Sequence, residues 1–307
     1  MPARTLGDGD LRLRCALHAH TTNSDGEVSP GELVRHYEEA GFDVLAITDH
    51  WVRTVEPSTD GLLVLPGTEL DAYLGGESAY AHVLALGVQH DPVPPGPDDE
   101  FPGLEETVAW VEANGGVPFV AHTYWSGLRP EDFERCPGIA GLEVYNAGCE
   151  LEVGRGLATL HWDEVLERRR PCLGIAVDDS HHPGLDSRLA WVWAHCEDRS
   201  EKAVLEALRA GAFYSSMGPE ILELSLDDSA VEVRCSPAQS VTLVAGRAKG
   251  ARVNAGGSEV LHRATVLERE NGSITAARLE RPPRAPYGRL EVQDDRGRTA
   301  WTNPLWI

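Results

Sequence analysis

The feature that most narrows the fold is an alternation of short apolar strands with helices, running from residue 11 to about residue 217 and then stopping. "LRLRCAL" at 11–17 places apolar side chains at odd positions and reads as a strand. A helix is expected over 31–40, opened by Ser29-Pro30 and closed by Gly41, and the strand "FDVLAIT" follows it at 42–48. Strands at 62–65 and 81–88, an acidic proline-rich loop at 91–102 and a helix at 104–114 come next. The strands "VPFVA", "IAGLEVYN" and "CLGIAV" follow, with a helix around 161–169 between the last two, and a helix at 200–210 leads into "GAFYSS". Strands separated by helices imply an α/β protein with a parallel sheet, and about seven such units in roughly 200 residues predict a barrel. After Gly218-Pro219 the texture changes to "ILELSL", "AVEVRC", "SVTLVAG", "SITAARLE", "GRLEVQD" and "AWTNPLWI". That pattern predicts a small all-β, sandwich-like domain. The expected division is therefore 1–218 and 219–307.

Charge is distributed as unevenly as secondary structure. Residues 219–307 hold 12 acids and 12 bases, so the first 218 residues carry the whole net charge of −22. Such a surface repels polyanions and argues against broad nucleic-acid binding. A small anionic substrate is compatible with it only where bound cations override the field. No apolar run approaches the ~18 residues of a membrane span, and "MPARTLGDGD" lacks the apolar core of a signal peptide. The six cysteines are dispersed without a CxxC pair, which fits reduced thiols in a cytoplasmic protein. The oligomeric state is left open by these features.

In a parallel α/β architecture, functional groups gather at the carboxyl ends of strands. Here those ends carry metal-ligating residue types: His18, His20 and Asp25 after the first strand, then Asp49-His50, Glu69, His82, His122 and Glu143, and finally the run from Asp178 to His182. On a strand, His18 and His20 project to one face, where two neutral imidazoles can share an ion. Histidine and carboxylate without cysteine favour Zn, Mn or Fe. The set exceeds what one ion can use, so two to three divalent ions sharing a bridging carboxylate are expected. Such ions lower the pKa of bound water toward ~7 and supply hydroxide near neutral pH. Glu143 and Asp178 read as hydrogen-bond partners of ligands, His161 and His182 as walls or core, and His36 as a solvated helix residue. A phosphate would want a guanidinium fork, for which Arg188, Arg155 and Arg129 are candidates. Tyr124, Trp125 and Asn146, just beyond strand ends, are candidate pocket walls, whereas Trp191 and Trp193 alternate on a strand and fit core packing.

The order of "HAH", "SDG", "TDH", "GTE", the mid-chain "AH" and "DSH" resembles the PHP (polymerase and histidinol phosphatase) family over residues 11–217. The resemblance implies a distorted (β/α)7 barrel with a trinuclear site. It implies that His18, His20, Glu69 and Asp179 hold a first ion. Glu69 would bridge to a second ion completed by His82 and His122, and Asp25, His50 and His181 would hold a third. Many members have histidine where Asp25 stands and proline where Thr123 stands. "VYNAGCE", "HWDEVL", "VDDSHH", "FYSSMGP" and "AWTNPLWI" are most similar to a subgroup that includes carbaryl-hydrolase-type enzymes. The expected activity is hydrolysis of a small phosphorylated metabolite or nucleotide by a metal-bound hydroxide, with Asp25, His50, Asp179 and His181 assisting. Two alternatives use the same residues: a carboxylic or carbamic ester hydrolase, and a non-catalytic metal-containing binding module.

Overall fold

In the computed structural model, which describes residues 11–75, 80–96, 99–134, 136–257 and 263–306, the first half is built from nine strands and six helices among the described residues. They run β1 (Leu11–Ala16), α1 (Pro30–Glu39), β2 (Val44–Ile47), β3 (Leu63–Tyr73), β4 (Tyr80–Leu86), α2 (Leu104–Ala113), β5 (Val117–Val120) and α3 (Pro130–Phe133). Then come β6 (Gly141–Asn146), α4 (Ala147–Val153), α5 (Thr159–Glu167), β7 (Leu173–Val177), β8 (Trp191–Cys196), α6 (Glu201–Ala210) and β9 (Phe213–Ser216). Local chemistry explains the helix ends. The Glu32 carboxylate accepts from the backbone N–H and hydroxyl of Ser29, closing the start of α1 around Pro30. Ser200 caps α6, and Gly211 ends it in the left-handed conformation at φ 66°.

The sheet is mixed rather than all-parallel. Strands β1, β2 and the start of β3 pair in parallel, as do β5, β6 and β7, but β4 is antiparallel to both β3 and β5. The expected short strand at 62–65 is instead the first third of an unbroken eleven-residue strand. It changes partner at Pro66-Gly67, pairing with β2 before that point and β4 after it. A Cβ on Gly67 would meet the Ile47 and Ala85 carbonyl oxygens at 3.1 and 3.3 Å, so the crossover is tight there. This moves Glu69 from a strand end to mid-strand. Just past their ends, β1 and β7 meet: His20 N–H donates to Ser180 O at 2.9 Å, and Asp179 N–H to His18 O at 3.1 Å. Leu13, Leu17, Val44, Leu65, Leu84, Phe119, Ile175 and Val177 pack into one buried cluster behind this junction.

The remaining strands are antiparallel: β10 (Ile221–Leu226), β11 (Ala230–Ala238), β12 (Ser240–Ala245), β13 (Lys249–Asn254), β14 (Ala264–Glu270), β15 (Ser273–Glu280), β16 (Tyr287–Gln293), β17 (Thr299–Thr302) and β18 (Leu305–Trp306). Strands β10, β11, β15 and β14 form a four-stranded sheet. The others extend the large sheet, because β17 pairs antiparallel with β9. Val231, Val233 and Leu279 of one sheet share a buried cluster with Val241, Leu243 and Val292 of the other. Hydrogen bonding thus runs straight through the expected boundary at 218. Arg289, almost fully buried, pairs with Asp163 of α5 at 2.7 Å, and Asn303 accepts from Gly174 N–H at 3.0 Å. All six cysteines are free thiols. No helix among the described residues is long and apolar enough to cross a membrane.

Candidate metal centre

The junction of β1 and β7 is where the ligand-type side chains converge. His18, His20, Glu69 and Asp179 are all buried, and each offers an atom within 4.8 Å of the others'. The Glu143 carboxylate, 2.7 Å away, accepts from His18 Nδ1. In the neutral ring that leaves the lone pair on Nε2, which faces Glu69 Oε2 at 3.0 Å, His20 Nε2 at 3.0 Å and Asp179 Oδ1 at 3.2 Å. Asp179 Oδ1 is itself buried and forms no hydrogen bond. Lone pairs turned toward one another in a buried site repel unless a cation or a proton stands between them. The donor set fits a divalent cation.

Glu69 divides its carboxylate between two groups. Oε2 faces His18, His20 and, at 3.7 Å, His50. Oε1 faces His82 Nδ1 at 2.9 Å and His122 Nε2 at 3.1 Å. Each of these rings is held from behind: Asp71 lies 3.1 Å from His82 Nε2, and Ser126 Oγ lies 2.8 Å from His122 Nδ1. A third group lies toward the cleft and contains Asp25, His50 and His181 together with His20. His181 Nε2 and His50 Nε2 lie 3.4 and 3.6 Å from Asp25 Oδ2, while His20 Nδ1 lies 3.4 Å from Asp25 Oδ1. His20 therefore faces one group through each ring nitrogen.

Electrostatics follow the same geometry. Burial would lower His20, but the facing Asp179 and Glu69 carboxylates outweigh it and raise the pKa to about 9. Burial likewise opposes protonation of His82, and Glu69 and Asp71 overcome it, raising the pKa to about 10. The hydrogen bond with His181 holds Asp25 well below the usual carboxylate range. Without metal, protons occupy positions a cation would take. The backbone also departs from ordinary values here: His122 and Asp179 have φ of 26° and 54°, and Trp51 beside His50 has 56°. Non-glycine residues in the left-handed region are costly and concentrate at functional sites.

The buried acids beside the ligands hold the scaffold. Asp49 accepts from Thr21 N–H at 2.6 Å and Ser24 Oγ at 2.8 Å, fixing the turn that carries Asp25. Asp178 accepts from Tyr37 OH and from the backbone of Arg188, Leu189 and Ala190, and burial lifts its pKa to about 6. A cleft of about 370 Å³ opens over the groups, lined among others by Asp25, His50, His82, His181, Trp125 and Glu152. Trp125 sits edge-on to His122 with ring centroids 5.1 Å apart, and its indole N–H donates to Glu152 at 2.9 Å.

The five expected substrate contacts Arg188, Arg155, Arg129, Tyr124 and Asn146 are not brought into this cleft. Arg188 turns outward, its guanidinium packed on His36 of α1, because Asp178 fixes its backbone in a left-handed turn. His36 is consequently engaged rather than simply solvated. Arg129 is exposed at the start of α3, and Arg155 lies over the Tyr124 ring. Asn146 is buried, with its amide donating to Glu143 at 2.8 Å and Asp179 at 3.0 Å, so it positions acids. Tyr124 is exposed beside His161 rather than among the lining residues. No lysine or arginine lines the cleft among the described residues. The reading from sequence missed Asp71, Ser126, Glu152 and Asp186. Asp186 accepts from Ser180 Oγ and from the backbone of His181 and His182. Asp71 alone left a usable signal: it stands two residues after Glu69, hence on the same face once β3 is extended.

No protein-family model and no curated protein matches the chain. Among solved structures, a two-domain protein from Bacteroides vulgatus containing a predicted PHP-like metal-dependent phosphoesterase matches 99% of this chain and 98% of its own. The identity is 16% and the TM-score 0.53. The two share one fold from end to end. An amidohydrolase from Chromobacterium violaceum, solved with bound sulfate and no metal, matches 56% of this chain and 89% of its own, at 18% identity and a TM-score of 0.41.

Proposed function

We propose that this chain is a PHP-type metal-dependent hydrolase, with β1 to β7 as its distorted barrel. It cleaves the phosphoester of a small phosphorylated metabolite or nucleotide at a centre of two to three divalent ions. The observation that carries the reading is the division of Glu69 between two histidine groups, beside the unpartnered Asp179 Oδ1. His18, His20, Glu69 and Asp179 would hold one ion, Glu69, His82 and His122 a second, and Asp25, His50 and His181 a third. Bound there, such ions supply positive charge for substrate oxygens and acidify water toward neutral pH.

The chain's own groups then have distinct tasks. Glu143, Asp71 and Ser126 fix the ring orientations of His18, His82 and His122. Asp25, exposed at the cleft and carrying two carboxylate oxygens, is placed to take a proton from water and return one to the leaving group. Trp125, anchored by Glu152, offers a flat apolar wall to the substrate. The absence of any lining cation side chain among the described residues favours one second reading, hydrolysis of a carboxylic or carbamic ester.

The test is elemental analysis of protein purified without chelator, followed by parallel assays on p-nitrophenyl phosphate, bis(p-nitrophenyl) phosphate and p-nitrophenyl acetate. Two to three ions per chain and a metal-dependent phosphatase turnover are expected. One ion or fewer after reconstitution with Zn or Mn would overturn the multinuclear centre. Robust aryl-ester turnover with no phosphatase turnover would transfer the assignment to the second reading.

A further inference from the structure

The β module carries a concavity that shares no lining residue with the metal cleft. It encloses about 680 Å³ between the β12–β13 hairpin and the turn at Pro282-Pro283. Arg247, Lys249, Arg252 and Arg263 line it, and no acid does among the described residues. The guanidiniums of Arg247 and Arg263 have no hydrogen bond or ion pair with any described residue. Among the described residues Arg252 contacts neutral groups, Asn254 Oδ1 at 3.1 Å and Ser240 Oγ at 3.0 Å. Lys249 donates to the Pro283 and Arg284 carbonyls at 3.1 and 2.8 Å, which ties the hairpin to the opposite wall.

Four other arginines of the module take a carboxylate partner instead. Arg234 pairs with Glu268, Arg278 with Glu232, Arg289 with Asp163 and Arg298 with Asp294. In a chain whose net charge is −22, this groove gathers three arginines and a lysine with no acid among its described lining residues. Arg247 and Arg263 also hold left-handed backbones, φ 59° and 51°, where glycine or asparagine would be less costly.

We propose that this groove binds a chain of linked phosphates, through the guanidiniums of Arg247 and Arg263 and the charges of Lys249 and Arg252. A guanidinium presents a planar fork that matches a tetrahedral oxyanion bidentately. Linked phosphates bring adjacent negative groups to adjacent cations, on a hairpin that the Lys249 contacts hold against the opposite wall. Charged residues on an edge strand can also block edge-to-edge pairing, and β13 is an edge of the large sheet. Edge protection does not require a concavity or cations on the facing wall. The site is independent of the reaction at the metal centre.

The experiment titrates the metal-loaded full chain with sodium tripolyphosphate and with ATP by calorimetry, comparing wild type, Arg247→Gln/Arg263→Gln, Lys249→Gln and, as a surface control, Arg296→Gln. The double variant should lose about tenfold or more in affinity for one binding event, with metal content and melting temperature unchanged. Lys249→Gln should lose less, and Arg296→Gln nothing. Equal affinity for the two ligands assigns the phosphate chain itself as the determinant, and tighter binding of ATP assigns a nucleotide source. Unchanged affinity in the double variant overturns the site, as does an equal loss in Arg296→Gln. Aggregation of the double variant with unaltered phosphate binding would assign the charges to edge protection instead.

Discussion

Replacing Glu143 by glutamine isolates what holds His18 in place. The buried Glu143 carboxylate takes hydrogen bonds from three donors: His18 Nδ1 at 2.7 Å, His122 N–H at 2.7 Å and Asn146 Nδ2 at 2.8 Å. Glutamine offers one accepting oxygen and one NH₂. With the oxygen toward His122 and Asn146, the NH₂ meets His18 Nδ1 and selects the tautomer protonated on Nε2. That proton points at Glu69 and Asp179, 3.0 and 3.2 Å away, and blocks the lone pair a cation requires. With the amide reversed, the NH₂ abuts two donors in a dry site, at a cost of ~1–3 kcal/mol. The first arrangement prevails, so metal affinity falls by about 10- to 100-fold, or ~1.4–2.8 kcal/mol. The metal-free protein loses stability as well, because the Glu143 charge helps hold the His18 pKa well above its usual value and is then gone. Competition with a chelating dye measures the affinity, and thermal melts with and without Zn or Mn measure the two stabilities. Affinity within twofold of wild type, with an undiminished metal-dependent rise in Tm, would refute the tautomer argument.

Glu69→Gln should cost more metal and more turnover than Asp25→Asn, since Glu69 faces two groups and Asp25 one; equal metal content in both variants, by elemental analysis, would remove the bridge. His20 and His82 have pKa values of about 9 and 10 without metal, so both are protonated at pH 7 and must release protons to bind an ion. Metal affinity should therefore rise as pH increases from 6 toward 9, and calorimetry in buffers of different ionisation enthalpy should show at least one proton released per chain. Arg188→Ala should leave KM for any turned-over phosphomonoester within about twofold, because its guanidinium lies on His36; a tenfold rise would show that the side chain reaches the cleft. Deleting residues 219–307 strips β17 from β9 and unpairs Asp163 from Arg289, and the truncated chain should aggregate or melt well below the full chain.

Legibility from sequence followed the range of the interaction. Helix starts and stops were readable because Ser29, Pro30, Ser200 and Gly211 act within a few residues. The clustering of ligand types was readable because strand ends in an α/β chain share one rim, which brings His18 and His122 together across 104 positions. The crossover at Pro66-Gly67 was not readable, since it depends on β4 arriving from the other side. The same non-local cause hid β17 on β9, and with it the continuity of the large sheet. Arg188 shows the limit most clearly. Its proximity to Asp179 in sequence suggested the cleft, but hydrogen bonds from 188–190 to Asp178 rotate the segment outward.

The distribution of charge bears on how such a centre selects a substrate. Asp25, Glu69, Glu152, Asp179 and Asp186 line the cleft, with only histidines to balance them. A unit charge 4 Å from another at an effective dielectric of ~20 contributes about 4 kcal/mol. One ion more or less thus shifts the binding of an anion by more than any single exposed guanidinium can. The innermost group is closed by the buried His18, His20, Glu69 and Asp179, whereas the outer one depends on Asp25, His50 and His181, whose side chains are 53%, 28% and 28% exposed. On the proposed reading, preference for charged over neutral substrates follows occupancy of that outer group rather than a basic side chain. Asp25 itself adds a negative charge to that group, which strengthens its hold on a cation and, on the proposed reading, makes its filling the step on which anion binding depends.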